Sequence, residues 1–123
     1  MKKIFTNKAP AAIGPYSQAI ISGNLVFTSG QIPINPATSL VESENIKDQT
    51  KQVCENIRTV LEECGTSIDK VVKTVCFLTD MIDFADFNCV YEQYFKFKPA
   101  RSCVAVKELP KNVLIEIETV AEL

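Results

Sequence analysis

The sequence predicts an α+β fold, one mixed β-sheet with two helices packed on a single face. Three observations carry that reading. Two stretches, Ile46–Cys64 and about Phe84–Phe95, repeat apolar residues at helical spacing. Runs rich in β-branched residues alternate with them, notably Val71–Leu78 and Leu114–Ala121. Gly23-Asn24 lies between two short apolar runs and suits a tight hairpin turn, so the chain opens on paired strands. A length of 123 residues, 46% of them hydrophobic and 23% charged, fits one domain over residues 1–123 with a modest core.

Taken in order, Pro10–Pro15 is irregular, and Gly14-Pro15 forces a bend. Tyr16–Ile21 and Leu25–Ser29 are the expected strands of the hairpin, and Gly30 ends the second. Gln31–Pro36 continues extended, because proline disfavours helix at the residue before it; a short extra strand fits near Ile32–Leu40. In the first helix Ile46, Thr50, Val53, Ile57, Val60, Leu61 and Cys64 form one stripe, with Asn45 or Glu44 at its start. Gly65 is placed for a left-handed stop. Val71–Leu78 is then a buried strand. The second helix is expected to take Asp83 as its N-cap and to show Phe84, Phe87, Tyr91 and Tyr94 on its apolar face. Two last strands, Ser102–Val106 and Leu114–Ala121, join through a polar turn holding Pro110. The expected order is thus β-β-α-β-α-β-β. No third helix remains to cover the other face of the sheet, and self-association is the economical cover.

Composition excludes several functions. A net charge of −2 gives no electrostatic footprint for nucleic acid or an anionic membrane. Met1–Lys8 has lysines but no apolar core of a secretory signal, and no apolar run approaches the length of a membrane span. A cytoplasmic location is expected. Five cysteines, Cys54, Cys64, Cys76, Cys89 and Cys103, are scattered without a C-x-x-C and read as reduced thiols, mostly small core residues. Histidine is absent, which removes His-based triads and nearly all catalytic zinc sites. Acid–base chemistry must fall to carboxylates, Tyr, Cys, Lys or a positioned water.

The last strand suggests where that chemistry sits. Leu114, Glu116, Glu118 and Val120 point one way and Ile115, Ile117, Thr119 and Ala121 the other. Two carboxylates on a face that something covers cost free energy unless paired, and Arg101 on the preceding strand is one candidate partner. An arginine near a carboxylate on rigid strands makes either a pocket for an organic acid or a structural ion pair.

Three blocks carry a resemblance: Ala12-Ile-Gly-Pro-Tyr-Ser-Gln18, Phe27-Thr-Ser-Gly-Gln-Ile-Pro33, and Pro99-Ala-Arg-Ser-Cys-Val-Ala-Val106 followed by Leu109-Pro-Lys-Asn-Val-Leu-Ile-Glu-Ile-Glu118. They resemble the YjgF/RidA family of reactive-intermediate deaminases over essentially the whole chain. The resemblance implies a chorismate-mutase-like fold that assembles as a homotrimer, sheets inside and helices outside, with three clefts between subunits. It implies hydrolysis of 2-imino acids or their enamine tautomers, such as 2-iminopropanoate and 2-iminobutanoate, to 2-oxo acids and ammonia. No metal or organic cofactor is implied. Arg101 would take the substrate carboxylate, and Glu116 would orient water and relay protons. Tyr16, Ser29, Gly30, Asn88 and Cys103 match residues that border the family's cleft, although a plain strand end, a helix flank or a buried small residue would also account for them. Glu118 reads more simply as an interface or solvated carboxylate. Other classes attributed to such relatives are a ligand-sensing trimer and an RNA-cleaving translation inhibitor or chaperone; the missing histidine and negative charge weigh against RNA. Two features depart from the family pattern: Ser39 stands where relatives commonly carry glycine, and the Tyr94–Pro99 link looks shorter than usual.

Overall fold

A computed structural model describes all of residues 1–123. The elements in chain order are β1 (Lys2–Ile4), β2 (Ala19–Ser22), β3 (Leu25–Thr28), β4 (Ile34–Asn35), β5 (Leu40–Val41), α1 (Ile46–Glu63), β6 (Val71–Leu78), α2 (Phe84–Tyr94), β7 (Ala100–Ala105) and β8 (Ile115–Glu122). Six strands form one sheet in the order β1-β2-β3-β8-β6-β7, while β4 and β5 pair only with each other. All pairs are antiparallel except β6 with β7, which are parallel because α2 carries the chain back between them. The α+β class, the mixed sheet and the two helices agree with the sequence reading.

The caps explain where α1 begins and ends. Asn45 is extended (φ −99°, ψ 147°), and its side-chain oxygen accepts from the Asp48 amide at 2.9 Å. At the other end Gly65 adopts φ +84° and donates to the Glu62 carbonyl, while Thr66 donates to Leu61, both at 3.0 Å. That pairing is a Schellman stop, which needs a residue at ease in the left-handed region.

Three expectations are corrected or refined. The first strand runs from Ala19, not Tyr16, because Gln18 turns inward. Its amide accepts from the Thr6 nitrogen at 2.6 Å and donates to the carbonyls of Thr6 and Pro10 at 3.0 and 2.8 Å, tying down the irregular N-terminal segment. The unforeseen β1 then pairs with β2, Ile4 opposite Ala19. Asp83 stands at the N-cap position of α2 as expected, but it already has helical angles (φ −83°, ψ −2°) and its side chain makes no capping bond. The chain turns helical one turn earlier, where Asp80 accepts from the Ile82 amide at 2.9 Å.

The core lies between the helices and the inner face of the sheet. Val53, Ile57, Val60 and Leu61 of α1 meet Phe87 of α2 and Cys76, Leu78, Ile115 and Ile117 of the sheet, all fully buried. Each large side chain so buried contributes about 1.5–3 kcal/mol. Buried polar groups in it are paired: Thr28 with Thr119 at 3.0 Å, Thr74 with Tyr91 at 2.7 Å. The outer face, by contrast, is covered by no element of the chain. It carries Ile20, Phe27, Val75, Phe77, Val104 and Val120 among Lys73, Glu116 and Glu118, and Phe27 and Val104 are 43% and 47% exposed.

Candidate active site

Arg101 and Glu116 lie on opposite faces of the sheet. Register fixes this: Arg101 stands opposite Thr74 on β6, and Glu116 stands opposite Phe77. Thr74 and Phe77 are three residues apart on one strand, so the pleat sends them, and their partners, to opposite sides. Arg101 and Cys103 thus face the helices, and Glu116 and Glu118 face outward. The structural ion pair of Arg101 with Glu116 or Glu118, one of the two readings open from the sequence, does not form within the chain, and Arg58–Glu55 is the chain's one ion pair. What looked from the sequence like one pocket is, within one chain, two separate concavities.

The carboxylates line an outer-face concavity of about 460 Å³ that gathers Tyr16, Ser29, Gly30, Glu116 and Glu118. Gly30 comes to Glu116 because Gln31, just past β3, exchanges backbone hydrogen bonds with Ile117 at 2.8 and 3.1 Å. A Cβ on Gly30 would lie 2.8 Å from the Glu116 carboxyl carbon. The residue is therefore fixed as glycine by close approach rather than by backbone angle. The Ser29 hydroxyl donates to the Ser17 carbonyl at 2.6 Å, and the Tyr16 hydroxyl accepts from the Ile13 amide at 3.2 Å. Glu116 itself makes no hydrogen bond or ion pair within the chain. Burial, reinforced by the charge of Glu118, holds its carboxyl above the usual glutamate range.

The surroundings of the Arg101 guanidinium are built from one stripe of α2. Arg101 donates from Nη1 to the Asn88 side-chain oxygen at 2.8 Å. Its central carbon lies 4.8 Å from the Tyr91 ring centre and 5.5 Å from those of Phe84 and Phe87. Tyr91 is anchored in turn by Thr74, and burial pushes its phenol up to about 12, so it stays neutral. A concavity of about 350 Å³ opens here, lined by Asn88, Tyr91, Phe95, Lys98 and Arg101 among others. Cys103, half-buried on the same face, stands opposite Cys76. Burial raises its thiol pKa and Arg101 only partly offsets this, which leaves no activated nucleophile.

Sequence reasoning placed Tyr16, Ser29, Gly30, Asn88, Arg101, Cys103 and Glu116 at one cleft; within one chain Tyr16, Ser29, Gly30 and Glu116 share one concavity, Asn88 and Arg101 share another, and Cys103 lies on Arg101's face of the sheet. It missed the role of Phe84, Phe87 and Tyr91, which were legible only as a packing face. Asn88, expected at the ligand, is bonded to Arg101.

A family model described as Endoribonuclease L-PSP matches residues 6–123. A RutC family protein of Pyrococcus abyssi is 56% identical over 119 residues, covering 96% of this chain and 94% of that protein. The crystal structure of Escherichia coli TdcF with bound serine is similar at a TM-score of 0.95 and 42% identity, covering 100% of this chain and 99% of the other. RidA from the Antarctic bacterium Psychrobacter sp. PAMC 21119 has a TM-score of 0.96 at 43% identity, with 100% of both chains covered. With the fold, the three sequence blocks and these likenesses in agreement, this chain belongs to the YjgF/RidA family, the family of the Endoribonuclease L-PSP model.

Proposed function

We propose that this protein hydrolyses reactive 2-imino acids, or their enamine tautomers, to 2-oxo acids and ammonia, in clefts shared between the subunits of a homotrimer. The observation that carries the reading is Arg101: a half-buried cation with no carboxylate within salt-bridge distance, facing a concavity. Leaving such a charge unpaired is costly, and an organic acid would relieve it through charge-assisted hydrogen bonds worth about 1.5–3 kcal/mol. The serine bound to the TdcF relative is an amino acid of the right size and carboxylate chemistry. The uncovered apolar outer face supports assembly, and a second copy seated on it would bring its own half-site to complete the first.

In that arrangement Arg101 of one subunit grips the substrate carboxylate. Glu116 of another accepts a proton from water as the water oxygen adds to C2. The imine nitrogen takes up that proton, giving the carbinolamine; the proton of its C2 hydroxyl then passes through Glu116 to the nitrogen, the C2–N bond breaks, and ammonia leaves as the C2 oxygen becomes the carbonyl. General acid–base help of about 10²–10⁴-fold suffices, since the imine carbon is already electrophilic. The raised affinity of Glu116 for a proton suits this relay. RNA cleavage, suggested by the name of the family model, finds no histidine and a net charge of −2 in this chain.

The test is to generate 2-iminobutanoate with threonine dehydratase and follow 2-oxobutanoate release against semicarbazide trapping. Faster release and less trapped imine support the reading. Binding of 2-oxobutanoate without acceleration would replace it with a ligand sensor.

A further inference from the structure

We infer that Asn88 is a positioning residue: from α2 it fixes the Arg101 guanidinium through a neutral acceptor, so that the cation is aimed but not cancelled before a ligand carboxylate arrives. The inference rests on the proposed function for the identity of that ligand, but its geometry is independent of it. Phe84, Phe87, Asn88 and Tyr91 stand at i, i+3, i+4 and i+7, one stripe of the helix, and all four converge on the same guanidinium. Three ring faces attract a cation without neutralising it. The shelf is rigid, because Phe87 is fully buried and Tyr91 is tied to Thr74 at 2.7 Å. Asn88 then sets rotation about the guanidinium. A guanidinium only donates, so the atom facing Nη1 is the amide oxygen, and one of five N–H groups is used. The remaining N–H groups of the planar fork are left for a bidentate carboxylate. Aspartate has the same shape as asparagine and would hold Arg101 more tightly, but as an ion pair that competes with the ligand.

Two substitutions in the whole protein test this, with 2-oxobutanoate as the calorimetric probe and NMR of the Arg101 side chain as the second readout. For Asn88→Asp we expect a melting temperature no lower than the parent's, with 2-oxobutanoate affinity down by about tenfold or more. KM for the imine should rise more than kcat falls. For Asn88→Ala we expect the Arg101 Nη protons, held distinct in the parent, to average through free rotation. Unchanged Nη signals in Asn88→Ala would overturn the positioning role. So would parent-like 2-oxobutanoate binding by Asn88→Asp in a parent that binds it. A parent that neither binds 2-oxobutanoate nor accelerates its release from the imine would instead sink the proposed function, and the Nη signals would still decide the role of Asn88.

Discussion

Gly30 and Glu116 touch so closely that one added methyl group has no room between them: a Cβ at Gly30 would stand 3.0 Å from Glu116 Cγ and nearer still to its carboxylate. The backbone of Gly30 is not left-handed, so alanine is free to adopt it. Gly30→Ala is therefore expected to fold, while pushing the half-buried carboxylate aside. Displacing a reacting group by about 1 Å can cost about 10²-fold in rate. The expected outcome is a loss of that order in kcat at a nearly unchanged melting temperature, read by the imine assay and by calorimetry.

Arg101 is the second point of test. Arg101→Ala removes the charge-assisted bonds to a substrate carboxylate, worth about 1.5–3 kcal/mol, or about 10- to 150-fold in kcat/KM. Arg101→Lys keeps the charge but loses the planar fork that meets both a carboxylate and the Asn88 oxygen, so its activity should fall between the two. Full activity in Arg101→Ala would refute the mechanism.

The carboxylate of Glu116 makes stability depend on pH in a defined direction. Burial first, and then Glu118, raise its pKa, so the fold favours the protonated form. Such a group contributes stability that is fully present below the ordinary glutamate value and is lost as pH rises through the raised one. In the single chain Glu116→Gln should therefore match the parent in acid and exceed it in melting temperature near neutrality, and an Arg101 guanidinium from a second subunit facing Glu116 would narrow that gap. Glu118→Gln removes the nearby charge, and the acid limb of the parent's kcat/KM profile should move to lower pH. Melting curves and rate profiles across pH 3–8 check both, on the order of the ordinary carboxylate range and above.

Periodicity made the sheet and helices readable in advance, because α1 buries one stripe and β8 alternates strictly between a buried and an open face. Pairing was harder. Lys2-Lys3-Ile4 has no apolar pattern, and it is a strand only because Ile21, Ile20 and Ala19 lie beside it. Asp83 had the right chemistry and stands at the N-cap position of α2, but the capping bond itself is made one turn earlier, by Asp80. The largest gap concerned Arg101 and Glu116. Each residue type and each strand could be identified from the chain, but the relative register of β7 and β8 across β6 is set by tertiary packing. That register decides which face each side chain takes. The same limit hid the aromatic shelf, since Phe84, Phe87 and Tyr91 read equally well as plain core.

Ser39 offers a stability test that leaves the site alone. It sits at φ +61° in the turn between β4 and β5, a conformation costing an L-residue about 1–2 kcal/mol and glycine almost nothing. Glycine also gains chain entropy when unfolded, which offsets part of the relief. Ser39→Gly is expected to raise stability by about 0.5–1 kcal/mol in urea melts, with catalysis unchanged. A destabilised variant would mean that the serine makes contacts outweighing its backbone strain.

The placement of Arg101 and Glu116 on opposite faces gives the sharpest prediction, because it concerns how chains combine rather than what one residue does. If each cleft takes Arg101 from one subunit and Glu116 from the next, neither Arg101→Ala nor Glu116→Gln alone leaves any complete cleft. A trimer containing both variants has one junction where an intact Arg101 meets an intact Glu116. Random assembly makes about three quarters of the trimers mixed, each with one of three clefts restored, so about a quarter of parental activity should return on co-expression. Simple mixing of the two purified variants should restore activity only as fast as subunits exchange. A site complete within one chain would show no recovery under either condition, and a monomeric mass by sedimentation would remove the shared cleft altogether. Recovery near a quarter, in contrast, requires two chains at each site, with the sheet between Arg101 and Glu116 of any single chain.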